Sequence, residues 1–500
     1  TIGALALGNI LGYSSPAGLI LTSNNTDSSI HLNRFQNGWF SSVSNLGSAI
    51  GCPLAGFAMD YFGRRGTLIY SIVPVLVGWI LIRDSYIYIV RHPISILLCT
   101  NTSHKHALLF WFGFHCKKDE KTKVAAQNFA MLVIGRLITG IYGSFVSLTV
   151  NTYVAEFSSA HIRGTLGVGF QLMLTVGILF AYLMGVAFTN FRWIALVCAI
   201  FPCICSILMI FGKESPLYLL SKGRDKEAEI SLKFFRGNDY DGISFEMEEM
   251  RKSLEERKRN KATLKDLKKP YILKPFLISM GLMFFQQFSG INAVLFNLSI
   301  IFEDAGSHLS SDVSAIIIGL VQVIATFLAA TLMDKAGRKI LLIVSTGVMT
   351  ISLVALGVFF YLLRYDEATA LSIGWLPLVS LIFFIIAFSI GLGPIPWLMM
   401  GELFTPEIKE LASSIATMLN WGIAFITTLI FHPLTVGTLI FLSEVIHDHG
   451  VYWLFSAFCL CGFIFCITFV YETKGKTLQE ISAHFGAPQS TVEPEKKIPE

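Results

Sequence analysis

Long segments without a single charged side chain recur along this chain of 500 residues. Examples are residues 166–187, 193–212, 313–333, 371–400 and 451–471. Each is long enough to cross the hydrocarbon core of a bilayer, about 30 Å thick, as an α-helix. One or two such segments fit the core of a soluble protein, but this number does not. A soluble protein also carries about 25% charged residues, whereas this chain carries 14%. The sequence therefore predicts an all-α polytopic membrane protein in the lipid bilayer.

The remaining composition disfavours several other classes of protein. The formal net charge is +4, and the basic residues lie in loops rather than in a patch interleaved with aromatic residues, so we expect no nucleic-acid partner. Cys203 and Cys205 are two residues apart, as are Cys459 and Cys461, so each pair lies on different helix faces and does not suit a metal site. No P-loop and no nucleophile–base constellation is evident, so we expect neither an enzyme nor a cofactor.

The apolar runs predict twelve transmembrane helices, which a charged loop divides into two halves of six. We place the helices at residues 1–21, 38–59, 66–83, 127–147, 165–188, 192–212, 273–300, 312–333, 339–363, 374–400, 410–431 and 450–471. The predicted domains are the N-terminal half (1–212), a cytoplasmic central loop with short helices (213–270), the C-terminal half (271–471) and a cytoplasmic tail (472–500). The chain begins at Thr1 inside an apolar run and without Met, so we expect residues before it.

Basic residues set the expected orientation in the membrane. Arg64 and Arg65 follow predicted helix 2, Arg163 follows helix 4, and Lys409 follows helix 10. Because Lys and Arg are enriched in cytoplasmic loops, both termini should face the cytoplasm. Asn24 begins an Asn-x-Thr glycosylation sequon on the predicted outer side, which agrees with this orientation. We therefore expect a multi-pass protein of the plasma membrane.

The same charged signature occurs once in each half, as DYFGRR and as DKAGRK. The corresponding residues are Asp60 and Asp334, Gly63 and Gly337, Arg64 and Arg338, and Arg65 and Lys339. The carboxylates that follow them in the same order are Glu156 and Glu214 in the first half, and Glu402 and Glu472 in the second. Such matching signatures indicate an internal repeat, and transporters built from repeats place their site at the interface between them.

The repeat also reveals an irregular segment in each half. The chain between the first Asp and the first Glu of the signature is longer in the N-terminal half than in the C-terminal half, and the surplus falls near residues 83–124. This segment is apolar but interrupted by charged and polar residues, so it makes a poor membrane span. A smaller surplus in the second half falls near residues 436–447. Both segments are either long outer loops or insertions from an unspliced or misannotated gene.

Several short motifs, spread over both halves, form a family signature. They are Gly56-x3-Asp60-x2-Gly63-Arg64-Arg65, Gly135-Arg136-x3-Gly140, Glu156 with Arg163-Gly164, Glu214-Ser-Pro216, Gln286-Gln287-Phe-Ser-Gly290-Ile-Asn292 and Gly393-Pro394-Ile-Pro396-Trp397. Together they resemble the sugar porter branch of the major facilitator superfamily, over nearly the whole chain except 83–124. Residues 281–294 and 393–402 resemble insect facilitated trehalose transporters. The resemblance implies the major facilitator fold, with twelve transmembrane helices as two six-helix halves.

The resemblance implies a small-molecule sugar substrate, and polar residues inside apolar helices fit that chemistry. Sugar hydroxyls need side chains that both donate and accept hydrogen bonds, and the C–H face of the ring needs an apolar plate, so carboxamides and Trp are suitable. Such buried polar groups are costly and are functional candidates. The candidate sugar-binding residues are Gln171, Gln286, Gln287, Asn292, Gln322, Trp397, Asn420 and Trp421. The alternative for a single amide is a hydrogen bond that merely joins two helices.

The duplicated charges are candidates for a gate at the cytoplasmic side. Ion pairs between helix ends would close that side when the cavity faces outward. The candidate gate residues are Asp60, Arg64, Arg65, Arg136, Glu156, Arg163, Glu214, Asp334, Arg338, Lys339, Glu402, Lys409 and Glu472. The alternative is that the basic residues only set topology. The repeated carboxylates favour the gate.

The resemblance also bears on the energy source. Proton-coupled sugar porters place an acidic residue in helix 1 near the Arg of helix 4. Here residues 11–16 (LGYSSP) contain no carboxylate, so Arg136 lacks that partner. We therefore predict a uniporter, a facilitative carrier that moves trehalose or a hexose across the plasma membrane by alternating access and works as a monomer. The alternatives are a proton-coupled symporter, a non-transporting sugar sensor and an inactive gene product of the same fold.

Overall fold

The structure is a computed structural model. It describes residues 2–23, 30–85, 120–158, 160–237, 240, 242–259, 266–306, 310–404, 408–435, 448–476 and 478–486. In this part of the chain the backbone is almost entirely α-helical, and no β-strand occurs. Asn24, the segment 436–447 and nearly all of the segment 83–124 lie outside the described residues.

The helices fall into three groups along the chain. The N-terminal half contains α1 (Ile2–Gly12), α2 (Ser14–Thr22), α3 (Arg34–Tyr70), α4 (Ile72–Arg83), α5 (Glu120–Phe157), α6 (Ala160–Ala187), α7 (Phe191–Cys198) and α8 (Ile200–Phe211). The central loop contains α9 (Pro216–Ser221), α10 (Asp225–Arg236), α11 (Ile243–Arg259) and a 3-10 turn (Asp266–Lys268). The C-terminal half and tail contain α12 (Pro270–Phe288), α13 (Ile291–Phe296), α14 (Leu298–Asp304), α15 (Ser311–Ala336), α16 (Arg338–Tyr365), α17 (Glu367–Ser372), α18 (Leu376–Ile390), α19 (Ile395–Leu403), α20 (Lys409–Thr435), α21 (Asp448–Thr468) and α22 (Leu478–His484).

The described helices provide twelve membrane-spanning segments. Ten helical spans are long and apolar enough to cross a bilayer, and the bent pair α3–α4 also passes this test. Gly63 lies inside this pair with φ 80° and ψ 179°, a conformation that interrupts a helix. Gly47 and Gly78 both pack against α5, near Leu137 and Gly135 respectively, so the chain reverses direction at Gly63. The pair therefore supplies the second and third spans, and the predicted number of helices is confirmed.

The two halves use the same helix pairs. The second span packs along the fourth in the N-terminal half (α3 on α5), as the eighth packs along the tenth in the C-terminal half (α15 on α18). The first span packs along the fifth (α1 on α6), as the seventh packs along the eleventh (α12 on α20). The repeat that is visible in the charged signatures is thus also a repeat of packing.

The halves meet along α3 with α20 and along α6 with α15. We call the end that carries Gly63 and Gly337 the inner end, which is by prediction the cytoplasmic one, and we call the opposite end the outer end. Among the described residues, four pairs hydrogen-bond across the halves: Ser15 with Ser299, Arg34 with Asp304, Asn45 with Thr428, and Tyr182 with the Leu295 carbonyl. Each pair lies nearer the outer end of its helices. These contacts hold the two halves together at the outer end.

Candidate functional site

Three predicted sugar-binding residues lie on the seventh span, next to a break in its helix. Gly290 separates α12 from α13 with φ 81° and ψ 9°, the left-handed region that favours glycine. A Cβ atom at this position would also lie 2.4 Å from the Phe455 ring. The break brings Gln287, at the end of α12, and Asn292, at the start of α13, within hydrogen-bond distance of each other. Gln286 lies beside them and is buried.

The tenth span is also broken, at residues 391–394 between α18 and α19. Pro394 and Pro396 have no backbone N–H, so each leaves a carbonyl group of the preceding turn without its helical donor. One of these carbonyls belongs to Leu392, whose donor in a continuous helix would be the N–H group of residue 396. The break therefore exposes backbone acceptors inside the protein, and other groups must supply the donors.

Gln286 supplies these donors, and it belongs to a continuous set of hydrogen bonds among four carboxamides, which we call the amide chain. Asn292 Nδ2 donates to Gln287 Oε1 at 2.7 Å, and Gln287 Nε2 donates to Asn420 Oδ1 at 2.9 Å. Asn420 Nδ2 donates to Gln286 Oε1 at 2.7 Å. Gln286 Nε2 donates to two carbonyl oxygens of the broken tenth span, at 2.9 and 2.8 Å. The amide chain thus joins the seventh, tenth and eleventh spans.

The amide chain is buried except at one end. Gln286, Gln287 and Asn420 are 2%, 5% and 1% exposed. Asn292 is partly exposed, and its Oδ1 accepts no hydrogen bond from a described residue. The open end of the chain therefore offers a hydrogen-bond acceptor, which suits a hydroxyl group.

The other four predicted sugar-binding residues lie outside the amide chain. Trp397 on α19 and Gln171 on α6 are partly exposed. Trp421 and Gln322 are buried, and within the described residues the Trp421 Nε1 and Gln322 Oε1 atoms have no hydrogen-bond partner. The structure thus joins four of the eight candidates by hydrogen bonds. Sugar binding stays a prediction for all eight.

Arg136 is a fully buried charged residue on α5. Its guanidinium donates to the carbonyl oxygens of Ile10 at 2.9 Å and Phe40 at 3.3 Å. It also donates to the hydroxyl groups of Ser14 and Ser44. The Phe40 ring lies 5.4 Å from the guanidinium carbon, which adds a cation–π contact. The buried charge is therefore satisfied by neutral groups of the first and second spans, and none of these partners is a carboxylate.

These contacts correct the prediction that grouped Arg136 with the cytoplasmic gate. Arg136 contacts the first and second spans nearer the outer end, whereas Glu156 lies at the inner end of the same helix. At 1.5 Å per residue, about 30 Å of helix separates them. The prediction was wrong because a shared motif in the sequence does not show the depth of each charge along a helix.

The inner end of the N-terminal half holds a charged network around Gly63. The Glu214 carboxylate accepts the backbone N–H groups of Arg64 at 2.9 Å and Arg65 at 3.1 Å. The Arg64 guanidinium pairs with Glu156 at 2.7 Å. The other oxygen of Glu156, Oε2, is buried, and no described residue donates a hydrogen bond to it.

The C-terminal half repeats this network around Gly337. The Glu472 carboxylate accepts the backbone N–H groups of Arg338 and Lys339, each at 3.0 Å. The Arg338 guanidinium pairs with Glu402 at 2.9 Å. The φ angle of Gly337 is 88°, close to the 80° of its counterpart in the first half. The duplicated sequence therefore folds into a duplicated local structure.

The Glu472 carboxyl is held mainly by backbone donors. Burial raises its pKa, but the N–H groups of Lys474, Arg338 and Lys339 lower it by more, so the pKa lies below its ordinary value. A carboxyl with a lowered pKa contributes its full stabilisation at neutral pH, and this contribution is lost as the pH falls through the lowered pKa. The C-terminal network is therefore complete near pH 7.

The other predicted gate residues lie at the inner end or outside the described part of the chain. Asp60 on α3 is exposed, and Lys409 donates to the Gly401 carbonyl at 3.4 Å. The side chains of Arg163 and Asp334 lie outside the described part of the chain. The ion pairs of both networks join groups of one half, so a gate contact across the halves stays a prediction. In the described residues, no group of three or more His, Cys, Asp or Glu side chains is placed to hold a metal ion.

Sequence reasoning missed an ion pair at the outer end. The Arg34 guanidinium on α3 forms two hydrogen bonds with the Asp304 carboxylate on α14, at 3.0 and 2.6 Å. The pair borders a cavity of about 320 Å³, whose other walls come from α14, α16, α20 and α21. The two residues are 270 positions apart, and only the fold brings them together.

The family follows from a comparison of sequences. The sequence profile of the family described as "Sugar (and other) transporter" matches residues 10–91 and 112–485. The chain belongs to this family. The two matched ranges leave out residues 92–111, which fall inside the segment 83–124 that the repeat predicts to be surplus. The protein is thus a member of a family of sugar transporters and not an enzyme.

Individual relatives agree with this assignment. Facilitated trehalose transporter Tret1 of Apis mellifera ligustica is 36% identical over 490 residues, which cover 98% of this chain and 87% of that protein. Trehalose transporter 1 of Drosophila melanogaster is 35% identical over 483 residues, which cover 96% of this chain and 50% of that protein. This chain therefore spans about half the length of the Drosophila relative. The predicted likeness to insect facilitated trehalose transporters is confirmed.

Solved structures share the fold. The xylose transporter XylE from E. coli in an inward-open conformation gives a TM-score of 0.73 at 23% identity and covers 97% of each chain. The proton:xylose symporter XylE bound to 6-bromo-6-deoxy-D-glucose gives a TM-score of 0.70 at 26% identity and covers 97% of this chain and 98% of that chain. The major facilitator fold predicted from the sequence is confirmed.

Proposed function

We propose that this protein is a facilitative carrier of trehalose or a hexose, which works in the plasma membrane by alternating access with both termini in the cytoplasm. The observation that carries the proposal is the amide chain, whose open end presents an acceptor beside the broken seventh span. The names of the Apis and Drosophila relatives support trehalose as the first sugar to test. We propose further that the monomer is the functional unit.

The surroundings of Arg136 support uniport over proton-coupled symport. Proton coupling needs a group whose protonation is linked to the affinity for sugar, and an intramembrane carboxylate is the usual one. The partners of Arg136 are carbonyl and hydroxyl groups, which do not titrate near neutral pH. Symport is the second candidate, because one solved relative of the same fold is a proton:xylose symporter.

Alternating access is supported by the position of the contacts between the halves. The four hydrogen-bonded pairs across the halves lie nearer the outer end, while the inner-end ion pairs lie inside each half. A rocking carrier must exchange outer contacts for inner ones when its cavity turns outward. The unpaired Oε2 of Glu156 offers one acceptor for such an inner contact.

Replacing Gln287 with alanine tests the amide chain as the sugar site. The substitution removes two buried groups of Gln287: the oxygen that accepts from Asn292 Nδ2 and the NH2 group that donates to Asn420 Oδ1. A buried polar group left without its partner costs about 1–3 kcal/mol, which is about a 5- to 150-fold loss of apparent affinity. We expect the KM for labelled trehalose or D-glucose to rise by this factor in oocytes, while the amount of carrier at the surface is unchanged.

Asn151→Ala is the matched control for this experiment. Asn151 is an exposed amide on α5, and within the described residues its side chain bonds only to the Ser147 carbonyl one turn away, so its loss should leave uptake unchanged. Wild-type KM values in the Gln287→Ala variant would exclude Gln287 from the site. A wild-type chain that reaches the surface and transports neither sugar would favour a sensor or an inactive gene product.

Replacing Glu156 with glutamine tests the inner gate. The Arg64–Glu156 pair is only 16% and 8% exposed, so the change removes a charge from a largely buried network. We expect the carrier to favour the inward-facing state by about 1 kcal/mol, a roughly fivefold shift. Labelling of a cysteine placed in the outer vestibule should then slow, and sugar exchange should slow with it. Glu402→Gln should act in the same direction, because Glu402 occupies the equivalent position.

The exposed pair of Glu229 and Lys233 on α10 provides the control for the gate. Both side chains are more than two-fifths exposed, and such surface pairs contribute little. Glu229→Gln should therefore leave the labelling rate at its wild-type value. If Glu156→Gln and Glu402→Gln also label like the wild type, the inner-end charges serve only topology and local folding.

A further inference from the structure

The cavity beside the Arg34–Asp304 pair, which we call the outer cavity, has a volume of about 320 Å³. This volume falls at the lower end of the range of small-molecule sites. Among its described lining residues, Arg34 alone comes from the N-terminal half, and the others lie on α14, α16, α20 and α21. In this part of the chain, none of the eight candidate sugar-binding residues lines it. The outer cavity is therefore separate from the amide chain.

The floor of the outer cavity is apolar and buried. Phe360, Phe431 and Tyr452 are 6%, 3% and 2% exposed, and Ile301 beside them is 2% exposed. The rings of Phe360 and Tyr452 are stacked, with centroids 5.0 Å apart and planes inclined by 17°. Such stacked rings offer a flat apolar surface, which suits an aromatic ring or a hydrocarbon chain of a ligand.

The rim of the outer cavity is charged and exposed. The side chains of Arg34 and Asp304 are 47% and 35% exposed, and Arg364 in the last turn of α16 is also exposed. These three are the charged residues among those that line the cavity. A charged rim above a buried apolar floor fits a ligand that has one charged end and one apolar end.

One positive charge at the rim has no counter-charge. Arg34 and Asp304 neutralise each other, whereas Arg364 forms no ion pair and no hydrogen bond with a described residue. The carboxylate that follows in the chain, that of Asp366, instead accepts the N–H and hydroxyl groups of Thr369. A guanidinium matches the geometry of a carboxylate or a phosphate and binds either through two parallel hydrogen bonds. The surplus charge therefore selects an anion with a single negative charge.

We propose that the outer cavity binds an amphipathic organic monoanion. Its acidic group pairs with Arg364 at the rim, and its apolar part lies on the stacked rings of Phe360 and Tyr452. A soluble aromatic or aliphatic carboxylate from the outer solution and an anionic phospholipid from the outer leaflet share this chemistry.

The bound anion also holds the halves together at the outer end. The cavity has its full set of walls only while Arg34 of the N-terminal half lies beside Asp304 of the C-terminal half. A carrier whose cavity turns outward separates these two residues, so the anion binds better to the state in which they are paired. It therefore inhibits transport, and saturating sugar does not displace it. This effect on transport rests on the proposed carrier function, whereas binding itself does not.

The experiment compares 4-phenylbutyrate with its neutral counterpart, 4-phenylbutanol. Binding is measured as the rise in the unfolding temperature of the purified full chain, by fluorescence-detected size exclusion. We expect 4-phenylbutyrate to raise this temperature with saturation, and 4-phenylbutanol to act about tenfold more weakly because it lacks the charged partner of Arg364. In oocytes, external 4-phenylbutyrate should lower the maximal rate of uptake of labelled sugar.

Three variants test the site. Arg364→Gln removes the surplus charge and should weaken 4-phenylbutyrate about tenfold, while Arg364→Lys keeps the charge and should retain most of the affinity. Leu363→Trp places a larger side chain in the wall and should block binding without any change of charge. Arg83→Gln is the matched control, because Arg83 also lies at an outer helix end, is 49% exposed and does not line the outer cavity. Each variant is compared with itself in the absence of the probe.

Proteoliposomes distinguish the two sources of the anion. In phosphatidylcholine vesicles, only added 4-phenylbutyrate is available. Replacing part of the phosphatidylcholine with phosphatidylglycerol supplies an anionic lipid. Slower uptake in the mixed vesicles by the wild type, but not by Arg364→Gln, would make the lipid the source. Inhibition by 4-phenylbutyrate alone would make it a soluble acid.

The remaining outcomes separate this inference from the proposed function. Equal affinity for 4-phenylbutyrate and 4-phenylbutanol, or wild-type affinity for 4-phenylbutyrate in Arg364→Gln and Leu363→Trp, would overturn the site. Inhibition that saturating sugar relieves would place the anion in the sugar site and overturn the proposal. Charge-dependent binding in a protein that transports no sugar would overturn the carrier function and leave the outer cavity as an anion site.

Discussion

Replacing Gly63 with alanine should abolish most of the folded carrier. The residue has φ 80° and ψ 179°, a region that is essentially restricted to glycine, and a side chain there costs about 1–3 kcal/mol. A Cβ atom would also lie 2.4 Å from Glu214 Oε2 and 2.8 Å from the Tyr218 ring. The carboxylate would have to move away from the backbone N–H groups of Arg64 and Arg65, which costs about 1–3 kcal/mol more.

The sum, about 2–6 kcal/mol, reaches the lower end of the stability of an ordinary domain, about 5–15 kcal/mol. We expect the Gly63→Ala variant to yield little monodisperse protein by fluorescence-detected size exclusion, and any surviving carrier to unfold at a lower temperature. Gly337→Ala should behave alike, because a Cβ atom there would lie 2.7 Å from Glu472 Oε2 at φ 88°.

Gly56→Ala is the internal control for this prediction. Gly56 belongs to the same motif, its φ angle is not positive, and no atom lies within 4 Å of a Cβ built on it. Alanine should leave the stability unchanged or raise it slightly there, because glycine loses more backbone entropy than alanine when it enters a helix. Normal yields of Gly63→Ala would mean that the reversal at Gly63 tolerates other residues and that the network around Glu214 adds little.

Much of the fold follows from the sequence because membrane helices satisfy their own backbone hydrogen bonds. Apolar length gives the spans, and the duplicated DxxGR(R/K) signature gives the two halves. The outer-end contacts do not follow in the same way. Arg34 and Asp304 lie 270 residues apart and are ordinary loop-edge charges in the sequence, and only the fold of the whole chain pairs them.

The sequence predicts which residue types form the candidate site, but it does not predict the hydrogen bonds that join them. Gln286, Gln287 and Asn292 stand out as amides inside an apolar helix, yet the sequence does not show that Asn420 links them. For Arg136, the sequence motif does not predict the depth of the side chain in the membrane. Its motif suggests a place among the gate charges, whereas its hydrogen bonds to Ile10 and Ser44 place it nearer the outer end. Depth along a helix depends on register between helices, which a single sequence does not encode locally.

Ser14→Asp should convert the carrier from pH-insensitive to pH-dependent transport. The Ser14 hydroxyl accepts directly from Arg136 Nη2, so a carboxylate at this position would meet the guanidinium inside the N-terminal half. When it is ionised, this carboxylate would pair with the Arg136 guanidinium, whose charge is satisfied by neutral groups in the wild type. When it is protonated, the ion pair with Arg136 would be lost. Breaking a buried ion pair costs about 3–5 kcal/mol, which is large enough to shift the balance between carrier states.

For the wild type, we expect uptake that is insensitive to protonophores, no sugar-evoked current and no accumulation of sugar above the outside concentration. For Ser14→Asp, we expect a sugar-evoked inward current that grows as the outside pH falls, with a coupling of about 1–3 kcal/mol, or 5- to 150-fold in apparent affinity. Ser14→Asn is the matched control. Asparagine has nearly the same shape as aspartate and keeps a hydrogen-bond acceptor for Arg136, but it has no titratable group.

Each measurement also discriminates among the candidate functions. A wild-type current that grows at low outside pH would make the protein a symporter, with a proton site away from Arg136. Because Glu303 and Asp304 lie at the outer end of the seventh span, the variants Glu303→Gln and Asp304→Asn would then locate that site. A Ser14→Asp variant that transports sugar without any pH dependence would show that the contact between the first and fourth spans stays fixed during the transport cycle. The coupling in symporters of this fold would then need more than a carboxylate beside this arginine, since the pair itself would be present in the variant.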